Sequence, residues 1–182
     1  MAEISRREFL AKFATGVALS CTIPPGLRLL RGQVNSLTPE LVVVQGPSPR
    51  ENVRHALNLL GGIGAFVRRG DVVVVKPNMS WDRLPEQAAN TNPEVVAEIV
   101  RLCIEAGARK VKVFDRTCND CRLSYVSSGI QKAVQSINDP RVTCTFVDER
   151  KFVPVKIVKG KAMTEWEFYK DALDADCYIN IP

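Results

Sequence analysis

Asp71-Val-Val-Val-Val-Lys-Pro-Asn-Met-Ser80 is the stretch on which the fold turns. Four successive β-branched residues without polar alternation make a strand that must be covered on both faces, the pattern of the centre of a parallel sheet. The run ends abruptly in Lys76-Pro77-Asn78, which puts polar chemistry at the carboxyl end of a buried strand. In open sheets of this kind ligands gather beyond the carboxyl ends of the strands. Lys76 and Asn78 are therefore the first candidate binding residues.

On the amino side of this strand, Leu41-Val-Val-Val-Gln45 reads as a preceding strand, and Gly46-Pro-Ser-Pro49 turns the chain into an amphipathic helix from about Arg50 to Leu60. On the carboxyl side, Thr91-Asn92-Pro93-Glu94 combines capping side chains, a proline in the first turn and an acid that complements the helix dipole. It predicts a helix to about Ala106. Lys110 to Asp115 is the next strand, which completes a βαβ unit with a right-handed crossover. A loop from Arg116 to Arg122 follows, then a helix over 123–137, a strand over 141–147 and an antiparallel or edge strand over 153–158. A short helix over 166–173 and a strand over 177–181 complete the pattern. The expected class is α/β: a mostly parallel sheet flanked by helices, Rossmann-like and three-layered, preceded by a signal segment. The domain over 40–182 is expected to be incomplete at its carboxyl end, because a strand stops at Pro182 where such a chain normally loops back into a helix.

Composition and charge narrow the function classes. The 182 residues are 46% hydrophobic and 25% charged, ordinary for one soluble domain. The formal charge is +5, but Arg6, Arg7, Lys12, Arg28 and Arg31 against Glu3 and Glu8 place +3 of it in residues 1–31. The rest is nearly neutral, which removes the clustered cationic surface that nucleic acid requires. The amino end itself, Ser5-Arg6-Arg7-Glu8-Phe9-Leu10 with Lys12 and a short apolar run, resembles a twin-arginine signal. The run is too short for a membrane span of about 20 residues. Residues 1–31 are thus expected to be a signal and tether, with the twin-arginine translocase as partner and the periplasm as destination. Cleavage after Ser20 is the preferred outcome over lipid anchoring at Cys21.

Placed on the α/β scaffold, four strand tips carry Lys76 and Asn78, Asp115 and Arg116, Asp148 and Glu149, and Asn180. Parallel-sheet geometry brings such tips to one crevice. Lys76, between a valine run and a proline, suits clamping a carboxylate or phosphate. Thr91 and Asn92 at the following helix start offer further donors to the same anion, although ordinary capping explains them equally well. Polar residues also end strands simply because strand ends reach water, and for Asp148 and Glu149 that explanation weighs as much as a site.

Cys118-Asn-Asp-Cys121 is the second constellation. Such a pair ligates a metal, helps to hold an iron–sulfur cluster, or cycles as a disulfide. A closed site needs about four ligands, and the sequence has no second pair of this spacing. Cys103, Cys144 and Cys177 read as small buried hydrophobes, but in an oxidising periplasm a simple disulfide between Cys118 and Cys121, or between either and Cys177, explains the pair at least as well as a metal. Gly61-Gly-Ile-Gly64 follows a helix instead of a strand, so it is no dinucleotide fingerprint, and Gly160-Lys161-Ala162 lacks the phosphate-loop hydroxyl. His55 is the single histidine and lies on the predicted first helix, so a histidine-rich zinc site is excluded within these residues and a surface or packing role suits it better than a catalytic one.

Several of these features occur together in one family. Gly70-Asp71 leading into the valine strand and Lys76-Pro77-Asn78, then Thr91-Asn92-Pro93-Glu94, Glu105-Ala-Gly-Ala-Arg-Lys-Val before a strand ending in Asp115, and Ala175-Asp176 to Ile-Asn-Ile-Pro182 resemble the domain of unknown function 362 family. Asn92 stands where histidine often precedes the proline in that family. The resemblance implies an α/β fold and an association with iron–sulfur chemistry, and it carries no settled activity. The expectation is an exported α/β protein that binds an anionic ligand, or a metal or iron–sulfur cofactor, at the strand tips in a redox-linked role with a redox partner protein. A non-catalytic periplasmic binding or assembly protein with a structural disulfide is the alternative. Transfer or hydrolytic chemistry by Lys76 with Asp115 ranks third.

Overall fold

The computed structural model describes residues 39–182. The expected signal and tether over 1–31, including Cys21, lie outside the described residues.

Four strands, β1 (Val72–Pro77), β2 (Lys110–Val113), β3 (Val142–Cys144) and β6 (Cys177–Ile181), form a sheet in the order β3-β2-β1-β6. Every neighbour in it is parallel. The valine run is central, with Val73 and Val75 beside Val111 and Val113 of β2, and Lys76 beside Asn180 of β6. The chain steps one way from β1 through β2 to β3 and then returns to place β6 on the other side of β1. The winding reverses at β1, where a crevice opens at the strand tips.

One face of the sheet is covered by helices. Asn92 caps α2 (Pro93–Glu105), its side chain accepting from the Glu94 amide, and Asp120 caps α3 (Cys121–Ser127) through the amides of Arg122 and Leu123. Val96, Val100 and Cys103 of α2, Tyr125 of α3, and Ile130 and Val134 of α4 (Ile130–Gln135) close over Val73, Val75, Val111 and Val113. Each of those buried valines contributes on the order of 1.5–3 kcal/mol of transfer free energy. The first helix, α1 (Pro49–Leu59), docks on α2 through charge. Glu98, fully buried on α2, ion-pairs with Arg50 (2.8 Å), Arg54 and Arg101 (3.4 Å), and Arg54 also forks onto Glu105 at 2.8 and 3.3 Å.

The other face carries an antiparallel hairpin, β4 (Phe152–Lys156) with β5 (Glu165–Tyr169), and the single-turn α5 (Lys170–Leu173). Its core is small and aromatic: Val74, Phe114 and Tyr169 are buried, with Val147, Phe152, Ala172 and Ala175 against them. Phe114 and Phe152 meet the Tyr169 ring at 4.9 and 5.4 Å between centroids.

Four sequence expectations change. Leu41–Gln45 belongs to no strand. Val42 and Val44 line an open groove with Val53, Ala56 and Val95 of the helices, Leu41 and Val43 face water, and no strand among the described residues pairs with them. The helix expected over 123–137 is two helices, because Gly129 adopts a left-handed φ of 72° between α3 and α4. The strand expected over 141–147 is confined to Val142–Cys144. The helix expected from Trp166 begins only at Lys170; Trp166 and Phe168 alternate with Glu167 and Tyr169, and the period-two pattern yields β5.

Candidate functional site

At the carboxyl end of the sheet, between β1, β2 and the hairpin, lies a cleft of about 440 Å³. Along β1, Val74 faces the hairpin side of the sheet, and Lys76 two residues on projects the same way into this cleft. Phe114, Phe152, Trp166, Phe168, Tyr169 and Tyr178 supply aromatic walls, and Lys76, Asp115, Arg116, Glu149 and Glu167 the charged groups.

Lys76 and Asp115 form its floor. Lys76 Nζ is 2.8 Å from Asp115 Oδ1, and the lysine side chain is 34% exposed against 2% for the aspartate. The lysine also donates to the Pro77 carbonyl at 3.3 Å. An ammonium has three N–H donors, so one is left to point at the cleft. The other carboxylate oxygen, Oδ2, accepts from the Met79 amide at 2.8 Å and from the Ser80 hydroxyl at 3.0 Å. Asp115 is thus a buried carboxylate with both oxygens satisfied, the condition for keeping a charge inside a protein.

Tyr125 holds the same corner from beneath. Its hydroxyl accepts from the Asp115 amide at 3.0 Å and lies 3.0 Å from the carbonyls of Asp115 and Thr145, one of which takes its proton. Burial pushes this phenol well above its ordinary range, so it serves as a neutral bracket. At the rim, Arg116 Nη2 is 3.3 Å from Glu149 Oε2 and the guanidinium sits 5.1 Å from the Phe152 ring centre.

The candidate residues named from sequence therefore divide. Lys76, Asp115 and Arg116 share the cleft, joined by Glu149. Asn78, Thr91 and Asn92 are engaged locally. The Asn78 amide donates to Thr91 Oγ1 at 2.9 Å, that hydroxyl donates to the Ile181 carbonyl at 2.7 Å, and the Asn92 side chain caps α2. These bonds lace β1, α2 and β6 together at the strand tips. Asn180 lines a separate apolar groove of about 320 Å³ with Leu57, Ile63, Phe66 and Ile99. Asp148 caps the turn after it and binds Arg150, which holds its carboxyl at about 2 through side-chain and then backbone hydrogen bonds.

Cys118 and Cys121 sit beside the cleft instead of within its lining. Cys118 is exposed in the loop after Asp115 and Cys121 is the half-buried first residue of α3. Two thiolates are half of a closed metal or cluster site. Among the described residues no group of three or more His, Cys, Asp or Glu side chains is arranged to hold a metal ion, so these cysteines alone do not fit such a group.

Residues missed in the sequence are the aromatic walls, Ser80 and Tyr125. The alternation of Trp166 and Phe168 with acidic residues was the available signal for the walls. Nothing local marks Tyr125, whose role exists only because α3 lies under β2.

Residues 73–182, the span from β1 to the end of β6 and hence every side chain of the cleft, match the family described as Domain of unknown function (DUF362). The chain belongs to that family. A relative described as a thylakoid-associated protein, from Synechocystis sp., is 29% identical over 137 residues, covering 72% of this chain and 39% of the relative. The chain thus spans about two fifths of the length of that relative. No solved structure matches the chain. Among the described residues no helix is long and apolar enough to cross a membrane.

Proposed function

We propose that the cleft binds a small ligand with a flat aromatic part and an anionic oxygen, the aromatic part stacking on the walls and the oxygen taking the free N–H of Lys76. The observation that carries this reading is the arrangement of Lys76: two donors spent on Asp115 and Pro77, one directed into an aromatic-walled opening. The cleft volume lies within the 300–1,000 Å³ or so of small-molecule pockets. The charges on its walls are largely paired with one another, so recognition rests on stacking and one directed hydrogen bond more than on bulk attraction. A metal or iron–sulfur cofactor in a redox-linked role, with a redox partner protein, requires ligands beyond Cys118 and Cys121.

The test is a titration of the protein with planar aromatic anions, from benzoate to flavin mononucleotide, read by Trp166 fluorescence. Saturable quenching is expected, weakened about tenfold or more by the paired substitution Lys76→Met with Asp115→Asn, which removes the donor without stranding a buried charge. Equal affinity in that variant overturns the reading.

The amino-terminal Arg6-Arg7 segment supports export of the folded protein to the periplasm by the twin-arginine translocase. The thylakoid association of the relative supports a life close to a membrane. A reporter fused after residue 31 should be exported, and Arg6→Lys with Arg7→Lys should stop it; export unaffected by that change sinks the proposal.

A further inference from the structure

We propose that Cys118 and Cys121 form a thiol–disulfide couple whose state is transmitted through Ser80 to the Lys76–Asp115 pair. Burial disfavours the reactive thiolate at the other three cysteines described. Cys103 and Cys144 are thiols that burial pushes up to about 12, and burial raises Cys177 as well. Cys118 is exposed and Cys121 half-buried, three residues apart around a bend in the chain at 118 and 119. A disulfide needs its Cα atoms within about 4.4–6.8 Å, and a bend followed by the first residue of a helix is a place where so short a closure is available.

The loop is bonded to the site itself. The amides of Cys118 and Asn119 both donate to the carbonyl of Ser80, each at 3.0 Å, and the Asp82 amide donates to the Asn119 side chain at 3.0 Å. Ser80 in turn donates its hydroxyl to the carboxylate oxygen of Asp115 that does not face Lys76. A single residue therefore separates the cysteine loop from the floor of the cleft. Closing the bridge tightens Asn119 and Asp120 and turns the 118 and 119 amides away from Ser80. The Ser80 peptide then reorients, and Asp115 loses its hydroxyl donor. Cysteines left in a loop for no purpose explain their exposure equally well, but not the convergence of two amides of the pair's own loop on the residue that supports Asp115.

The chemistry is thiol–disulfide exchange with a small disulfide as oxidant. The Cys118 thiolate attacks one sulfur of the oxidant and expels its other half as a thiolate. The Cys121 thiolate then attacks Sγ of Cys118 and expels the second half. The protein pair gives up two electrons and two protons, and the oxidant becomes two thiols.

The experiment equilibrates the full chain with mixtures of reduced and oxidised glutathione, traps free thiols by alkylation and maps the bridge by mass. In a Trp166→Phe background the emission of Trp81, the neighbour of Ser80, reports the loop. Expected are a 118–121 bridge, an emission change that follows its formation, and no change in Cys118→Ser or Cys121→Ser. Failure to form the bridge in any mixture, uptake of a metal ion by a pair that then resists oxidation, or a bridge that leaves Trp81 emission unchanged each overturns the proposal. The consequence for ligand rests on the binding function proposed above: affinity for flavin mononucleotide, read in the Trp166-containing protein, should differ about fivefold or more between the two states. Coupled emission without flavin binding in either state breaks the binding proposal and leaves the couple standing; binding that is equal in both states breaks the coupling.

Discussion

Alternate residues of β1 look in opposite directions, and the two directions differ in kind. Val73 and Val75 meet a closed aliphatic layer of three helices, while Val74 and Lys76 meet an aromatic hairpin that leaves a cleft open at the strand tips. The buried side chains clustered with Val73 and Val75 are hydrophobic, and the one buried carboxylate of that helix layer, Glu98, is turned to the arginines of α1 and α2. The second places an ion pair where its packing runs out. Stability and chemistry are thus assigned to opposite sides of one strand, and the period-two geometry of the backbone keeps them apart. A change on one side should be felt as loss of fold and a change on the other as loss of binding.

The sharpest way to break this division is Val75→Asp, which puts an unpaired carboxylate into the helix-side core. Unfolding by more than about 4 kcal/mol is expected, checked by urea denaturation; a folded variant that lost only ligand binding would merge the two faces. Lys76→Ala should cost about 2 kcal/mol, below the 3–5 kcal/mol typical of a fully buried pair because the lysine is partly exposed. Adding Asp115→Asn should restore much of it. Tyr125→Phe removes the bracket and keeps the ring, with an expected loss of about 1–2 kcal/mol. It spans the division, since the ring packs on the helix side while its hydroxyl positions Asp115. Trp166→Ala, on the open hairpin, should move stability by less than about 0.5 kcal/mol yet abolish aromatic-anion binding, read by calorimetry because the variant lacks the fluorescent reporter.

The smallest effect lies away from both faces. The Arg141 side chain, followed by its amide, holds the Asp139 carboxyl at about 2, below its ordinary value of 3.8. A depressed folded value means that the pair's support is present above the ordinary range and is lost as pH falls toward 2. Arg141→Ala should return Asp139 toward its ordinary value in an NMR titration while ligand affinity at neutral pH stays the same.

The closed face was the legible one. Valine runs and a Thr-Asn-Pro-Glu helix start report burial and capping through neighbours in sequence, and they placed β1, α2, β2 and β6. The open face depends on encounters between distant residues. Lys76 and Asp115 were both named, but nothing in either segment says that they pair or that Ser80 completes the carboxylate. The β5 strand was read as helix because a five-residue alternation is short enough for either period. Leu41–Gln45 shows the reverse error: a strong strand composition without a neighbour to supply hydrogen bonds does not make a strand. Asn78, Thr91 and Asn92 sat at the strand tips as expected and turned out to lace the elements together.

That lacing bears on the order of assembly. β1 reaches β2 through a single helix, but it reaches β6 only across the rest of the domain, where the Val72 amide meets the Asp176 carboxylate 104 residues away. Closing so long a loop costs entropy before any contact repays it, and contacts of large sequence separation slow folding. The β1-α2-β2 unit forms early on this argument and β6 docks late, guided by Asp176 at its start and by Thr91 at its end. On that order the ion pair between β1 and the end of β2 precedes the Tyr178 wall, and the cleft is whole only once β6 has docked.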